Sequence, residues 1–145
     1  MNTLERLGAQ WDALLARTGR ATSAIWGVGL GLPGPVDHVA GRPINSPVML
    51  GWEEFPAAEW LGARFACPAV LENDANVMAL GERGAFWPEA GQLIFVKADT
   101  AMGAGLIVDG ALYRGAHGLA GDIGHIHVRG RDDAVLTPTA NGRAR

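Results

Sequence analysis

Apolar residues near the N-terminus recur with helical spacing. Leu4, Leu7, Trp11, Leu14 and Leu15 fall at i, i+3, i+7, i+10 and i+11, which puts them on one face of a helix over 4–17. Gly19 is a suitable stop. Ala24–Gly31 is a short continuous apolar run and reads as a buried strand. Pro33 and Pro35 then force a loop over 31–36, because proline extends neither a ladder nor a helix. Residues 37–50 hold Gly41, Pro43 and Pro47 and predict irregular chain or a short hairpin. Pro56 suits the first position of a helix running to Ala66. Ala69–Leu71 predicts a short strand.

The run from Glu72 to Gly84 reads as a strand end, a cap, a helix and a glycine stop. Asn73 or Asp74 can supply the cap, since either side chain can accept an orphan backbone N–H. Leu93–Lys97 predicts another strand. Gly103–Val108 and Ala111–Tyr113 flank Asp109-Gly110, a strong hairpin signal. A glycine-rich loop over 114–124 follows, then a strand over Ile123–Val128 with His125 and His127 on one face. From Arg129 onward the apolar pattern fades. Strands alternating with helices indicate an α/β architecture.

Composition sharpens this picture in one respect. Of 145 residues, 21 are glycine, about twice the usual share. They cluster in 27–34 and 103–124 without a period of three, so collagen is excluded and close approach of backbone to a ligand is suggested. A net charge of -3 and a pI near 5.7 give no reason to expect bulk attraction to nucleic acid. Cys67 is the only cysteine, which excludes an internal disulfide and all-protein zinc sites built on several cysteines. The N-terminus lacks the pattern of a signal peptide, and no run approaches a membrane span. A cytoplasmic protein with no membrane partner is expected.

Several segments carry candidate chemistry. Gly29-Leu-Gly31-Leu-Pro-Gly34 matches G-x-G-x-x-G, but a dinucleotide site needs a helix to open at the third glycine. Pro33 and Pro35 oppose that helix, so a rigid loop at a strand end, lining a pocket, is the better reading. Glu72-Asn-Asp-Ala-Asn76 supports either simple capping or a general base beside a hydrogen-bonding asparagine, an arrangement suited to sugar hydroxyls. Thr100-Ala-Met-Gly103-Ala-Gly105 is either a tight hairpin or a turn whose N–H groups meet a phosphate. Gly121-Asp122-Ile-Gly124-His125 could serve a polyol, could ligate metal through His125, or could be a turn whose aspartate bonds local backbone.

The order of these segments carries more than any one of them. GLPGPVD at 31–37, GW at 51–52, ENDAN at 72–76, ALGERG at 79–84 and MGAGLIVDGALYRGAHGLAGDIGHI at 102–126 together resemble the ROK family. That family groups bacterial sugar kinases with sugar-responsive transcriptional regulators. The resemblance runs from Gly27 to Val128. It implies a partial actin-like ATPase (ribonuclease H-like) α/β fold, with the end of a first domain over 1–72, the start of a second over 73–130 and an irregular tail over 131–145. It further implies Asp74 as the base that would deprotonate a sugar hydroxyl, and Asn73, Asp122, His125, Pro33 and Gly34 as sugar-side residues. Thr100, Gly103 and Gly105 match the second phosphate turn, and His125 matches a histidine that also ligates zinc in relatives.

The chain departs from the family pattern in ways that bear on catalysis. No Asp-Gly-Gly-Thr phosphate motif precedes the first helix, and Ala101 replaces the first glycine of the phosphate turn. Asp122 stands where kinases carry glutamate. Ala134–Gly142 holds no cysteine, so a structural zinc is not expected. Family kinases use ATP and Mg2+ to transfer phosphate, and this chain alone is expected not to do so. The expected function is the sugar-binding portion of a sugar-responsive regulator, truncated at both ends, with DNA contacted only through a missing N-terminal domain. The alternatives are a fragment of an ATP-dependent, glucokinase-like hexose kinase and a non-functional truncated product. The expected ligand is a hexose or a derivative, and family habit adds a homo-oligomer.

Overall fold

The computed structural model describes residues 3–44, 49, 51, 52, 54–99 and 101–126. Helix α1 spans Thr3–Thr18 and ends in the left-handed Gly19, whose φ of 64° suits a residue without Cβ. A 3-10 turn over Thr22–Ala24 precedes strand β1, Val28–Leu32. The strand predicted from Ala24 therefore begins four residues later, because Ile25 N–H bonds back to Thr22 rather than entering a ladder.

Strand β2 (Val36–Asp37) and strand β3 (Arg42–Pro43) pair antiparallel as a minimal hairpin. Its turn is held by Asp37, whose Oδ1 accepts the N–H groups of Val39 and Ala40 at 3.1 and 2.9 Å. Helix α2 spans Ala57–Phe65, with Pro56 as the cap and not, as predicted, the first helical residue. Ala57, Leu61 and Phe65, at i, i+4 and i+8, are buried on one face. Phe65 and Leu61 pack with Val28 and are covered by Leu7 and Trp11 of α1. Burying each of these two side chains stabilises the fold by about 1.5–3 kcal/mol.

Strand β4, Ala69–Asn73, lies parallel to β1 in the register Val28↔Ala69 to Leu32↔Asn73. The parallel pairing requires a long crossover, which the hairpin and α2 supply. Helix α3 follows at once, Asp74–Phe86. Gly84 does not stop it. The helix runs one half-turn further and closes with the Trp87 N–H on the Arg83 carbonyl. Strands β5 (Leu93–Ala98), β6 (Met102–Val108) and β7 (Ala111–Leu112) form an antiparallel meander. Asp109 and Gly110 both take positive φ, the geometry of a hairpin turn matched to strand twist.

Of the strand predicted over Ile123–Val128, the described part, Ile123–Ile126, is not a strand. Ile123–His125 is a 3-10 turn, closed by the Ile126 N–H on the Ile123 carbonyl, and His127 lies outside the described residues. No helix among the described residues is long and apolar enough to cross a membrane. Several large apolar side chains face solvent, among them Trp26, Val70, Ile94 and Val96.

Candidate functional site

The end of β4 and the start of α3 are joined without a spare residue, so two polar side chains emerge at one helix N-terminus. Asn73 is the cap: its Oδ1 accepts the Asn76 N–H at 3.2 Å. Its Nδ2 donates to the Gly34 carbonyl at 3.0 Å, tying the proline loop after β1 to the helix start. Asp74 Oδ1 accepts the Ala75 N–H at 2.8 Å. Asp74 Oδ2 accepts from Lys97 Nζ at 2.6 Å. The capping and chemical readings of this segment are therefore compatible, because one carboxylate oxygen serves the helix and the other faces β5.

The glycines of β6 decide how close that sheet comes to α3. A Cβ at Gly105 would lie 2.5 Å from both the Ala75 carbonyl oxygen and Ala79 Cβ. Gly105 thus allows helix and strand to touch. Gly103 has more room, with its nearest contact Ala75 Cβ at 3.6 Å. Thr100, the third residue matched to the phosphate turn, lies outside the described residues.

After β7 the chain returns across the sheet. Gly121 takes a φ of 90° and sits so close to β6 that a Cβ would lie 1.9 Å from the Ala104 oxygen. Its own carbonyl accepts the Ala104 N–H at 2.7 Å. This contact brings Asp122 and His125 beside β6. His125 Nδ1 lies 2.8 Å from Asp122 Oδ1, and both side chains are substantially exposed.

These segments enclose a cleft of ≈ 140 Å³. Pro33, Gly34, Asn73, Asp74, Gly103, Asp122 and His125 line it, while Gly105 does not. Lys97, Met102 and Leu119 line it as well and were missed in the sequence. For Lys97 a signal existed. Period-two alternation puts it on the same face of β5 as Leu93 and Phe95, an inward lysine in an apolar strand. Leu119 sits in an irregular loop and had none. Apolar walls with a few convergent polar groups are the usual makeup of a small-molecule site.

Below the cleft, Glu72 accepts from Asn76 Nδ2 at 3.0 Å, from the Asn73 N–H at 2.9 Å and from Arg114 Nε at 2.7 Å. Burial pushes the Glu72 carboxyl up, but the hydrogen bonds from Asn76, Asn73 and Arg114 outweigh it and hold the group below its ordinary value. Among the described residues, no group of three His, Cys, Asp or Glu side chains is placed to hold a metal ion. Of the residues matched to the phosphate turn, Gly103 pairs with Lys97 in the ladder and Gly105 packs against α3.

The chain is similar to known proteins in both sequence and fold. Over 121 residues the chain is 35% identical to a glucokinase of Halalkalibacterium halodurans, covering 81% of this chain and 36% of that protein. Over 110 residues it is 36% identical to a xylose repressor of Caldicellulosiruptor bescii, covering 75% of this chain and 27% of that protein. A crystal structure of a ROK family glucokinase from Streptomyces griseus, in complex with glucose and AMPPNP, superposes with a TM-score of 0.68 at 30% identity. It is matched over 86% of this chain and 39% of its own, so the chain spans well under half the length of these relatives. The architecture is accordingly part of the actin-like ATPase fold. The ROK family profile matches residues 2–141, and the chain, similar to both a glucokinase and a xylose repressor, belongs to the ROK family.

Proposed function

We propose that the cleft binds a hexose or hexose derivative and that the chain is the sugar-sensing part of a transcriptional regulator. The observation that carries this reading is the ion pair between Lys97 and Asp74. In a kinase reading Asp74 is the general base, which must accept a proton from the attacking hydroxyl. Here its Oδ2 is held by an ammonium and its Oδ1 by the helix N-terminus. A carboxylate in that position can still accept a hydrogen bond from a sugar hydroxyl. It is thus suited to binding more than to proton transfer.

In this reading Asp74, Asn73, Asp122 and His125 accept from or donate to hydroxyls, while Pro33, Met102 and Leu119 cover the apolar face of the ring. Binding favours whichever arrangement of the β1–β4 sheet and the β5–β7 sheet best encloses the sugar, and the regulator responds through that shift in population. The division of the chain near residue 72 follows the same line, with the β1–β4 layer on one side and α3 with the meander on the other. DNA contact then falls to another part of the protein, and the compartment is the cytoplasm. ATP and Mg2+, which serve phosphoryl transfer in kinases, have no role in this reading.

The glucokinase relative supports a second reading, an ATP-dependent hexose kinase with Asp74 as base. Calorimetric titration with glucose and xylose, paired with a coupled ADP-release assay on the same sample, separates the two. Saturable sugar binding without ADP release is the expected result. Ordinary hexokinase turnover would overturn the regulator reading, and the absence of any sugar binding would overturn both.

A further inference from the structure

The cleft has two polar walls, and they come from distant parts of the chain. Asn73 and Asp74 stand at the β4–α3 junction, whereas Leu119, Asp122 and His125 stand on the loop after β7. What fixes one wall against the other lies at the root of that loop. Arg114 Nε donates to Glu72 Oε2 at 2.7 Å, and Glu72 is the residue immediately before Asn73. The Glu72 side chain is only 12% exposed, and its other oxygen is engaged by Asn76 Nδ2 and the Asn73 N–H. The carboxylate is therefore immobile, and it anchors the arginine in turn.

The loop closes on that same arginine. The Arg114 carbonyl accepts the Ala120 N–H at 3.0 Å, so the turn over 115–119 is a closed ring rooted at Arg114. Gly118, with a φ of 72°, packs where a Cβ would lie 3.0 Å from the Val36 oxygen, and Gly121 packs against Ala104. The ring is thus held on the β2 side and on the β6 side, and its base is held by charge. Glycine contacts limit how near the loop can come. The ion pair draws the root of the loop toward the β4–α3 junction.

We propose that the Glu72–Arg114 pair is a positioning element that sets the width of the sugar cleft between Asn73–Asp74 and Leu119–His125. Neither residue lines the cleft, so its effect on ligand passes through the residues each one holds. The proposal rests on the hexose-binding reading, and the test separates the two.

The full chain is compared with its Arg114→Met and Arg114→Lys variants. Glucose affinity is measured by calorimetry, and amide hydrogen exchange is followed over residues 115–125 and over α2. Arg114→Met is expected to weaken glucose binding by about tenfold, the order of one charged hydrogen bond. It is also expected to speed exchange over 115–125 while leaving α2 unchanged. Arg114→Lys retains a cation within reach of Glu72 and is expected to recover most of the affinity. Wild-type affinity and exchange in Arg114→Met would overturn the proposal. Equal acceleration over α2 would also overturn it, since that marks general destabilisation. If the parent chain binds no glucose, the hexose reading fails, and unchanged exchange over 115–125 in Arg114→Met then overturns the positioning role on its own.

Discussion

Lys97 Nζ rests 2.6 Å from Asp74 Oδ2, across the interface between β5 and the first turn of α3. Both side chains are about a quarter exposed, at 23% and 26%. The pair therefore lies between the weak surface case and the costly buried one. Lys97→Met should destabilise the chain by about 1 kcal/mol, because a half-buried carboxylate loses its counter-charge. Adding Asp74→Asn should recover most of that loss. Urea denaturation of the single and double variants measures the coupling, and strict additivity would show that the pair is inert.

Two glycines in one strand make opposite predictions. Gly105→Ala places a methyl 2.5 Å from the Ala75 oxygen and Ala79 Cβ, so α3 must move away from β6. A cost of about 1–3 kcal/mol is expected for such overpacking. Gly103→Ala adds a methyl at 3.6 Å from Ala75 Cβ, an ordinary contact, and should be tolerated. Thermal unfolding of the two variants distinguishes them. Equal stability of the two variants would show that α3 does not press on β6 at Gly105.

Stability should also fall in acid. Glu72 is held below its ordinary value of 4.5, and Asp37 below 3.8, the latter chiefly by the Ala40 N–H. A carboxyl lowered in the folded state stabilises the fold above its unfolded value and loses that contribution as pH falls through the folded one. Stability carried by Glu72 is thus complete above 4.5 and lost below it. Urea midpoints recorded down this range should drop more steeply for the parent than for Glu72→Gln. Parallel curves would show that the Arg114 and Asn76 contacts contribute nothing to the titration.

Asn73→Ala removes a helix cap and the bond to the Gly34 carbonyl together. Loss of the cap alone typically costs about 1 kcal/mol. Glucose affinity should fall as well, because the proline loop loses its tie to the helix. A stability loss with unchanged affinity would confine Asn73 to capping.

Much of this arrangement was legible in the sequence, and the parts that were not have physical reasons. Helical spacing in 4–15 and the Asp109-Gly110 pair are local signals, and local interactions formed what they predicted. Ile123, His125 and His127 imitate strand alternation. In the described part, the Ile126 N–H closes on the Ile123 carbonyl instead of joining a ladder, and Ile123–His125 is a 3-10 turn. Asp74 and Asp122 could be picked out from their segments and from the resemblance. Arg114 could not, because its partner Glu72 lies 42 residues away and no spacing rule links them. Gly105 was read for its freedom to meet a ligand, while its packing use depends on how near α3 lies, which only the folded chain reveals.

The amide of Asn73 has both ends occupied before any ligand arrives. A sugar bound as proposed would therefore find a group whose rotamer is already chosen by the helix and the proline loop. Little side-chain entropy remains to be lost on binding at that point. The same rigidity makes discrimination geometric. In the proposed sugar-binding reading, a hydroxyl of the wrong epimer could not recruit the amide by turning it without uncapping α3, which would tie selectivity among sugars to the stability of the helix itself.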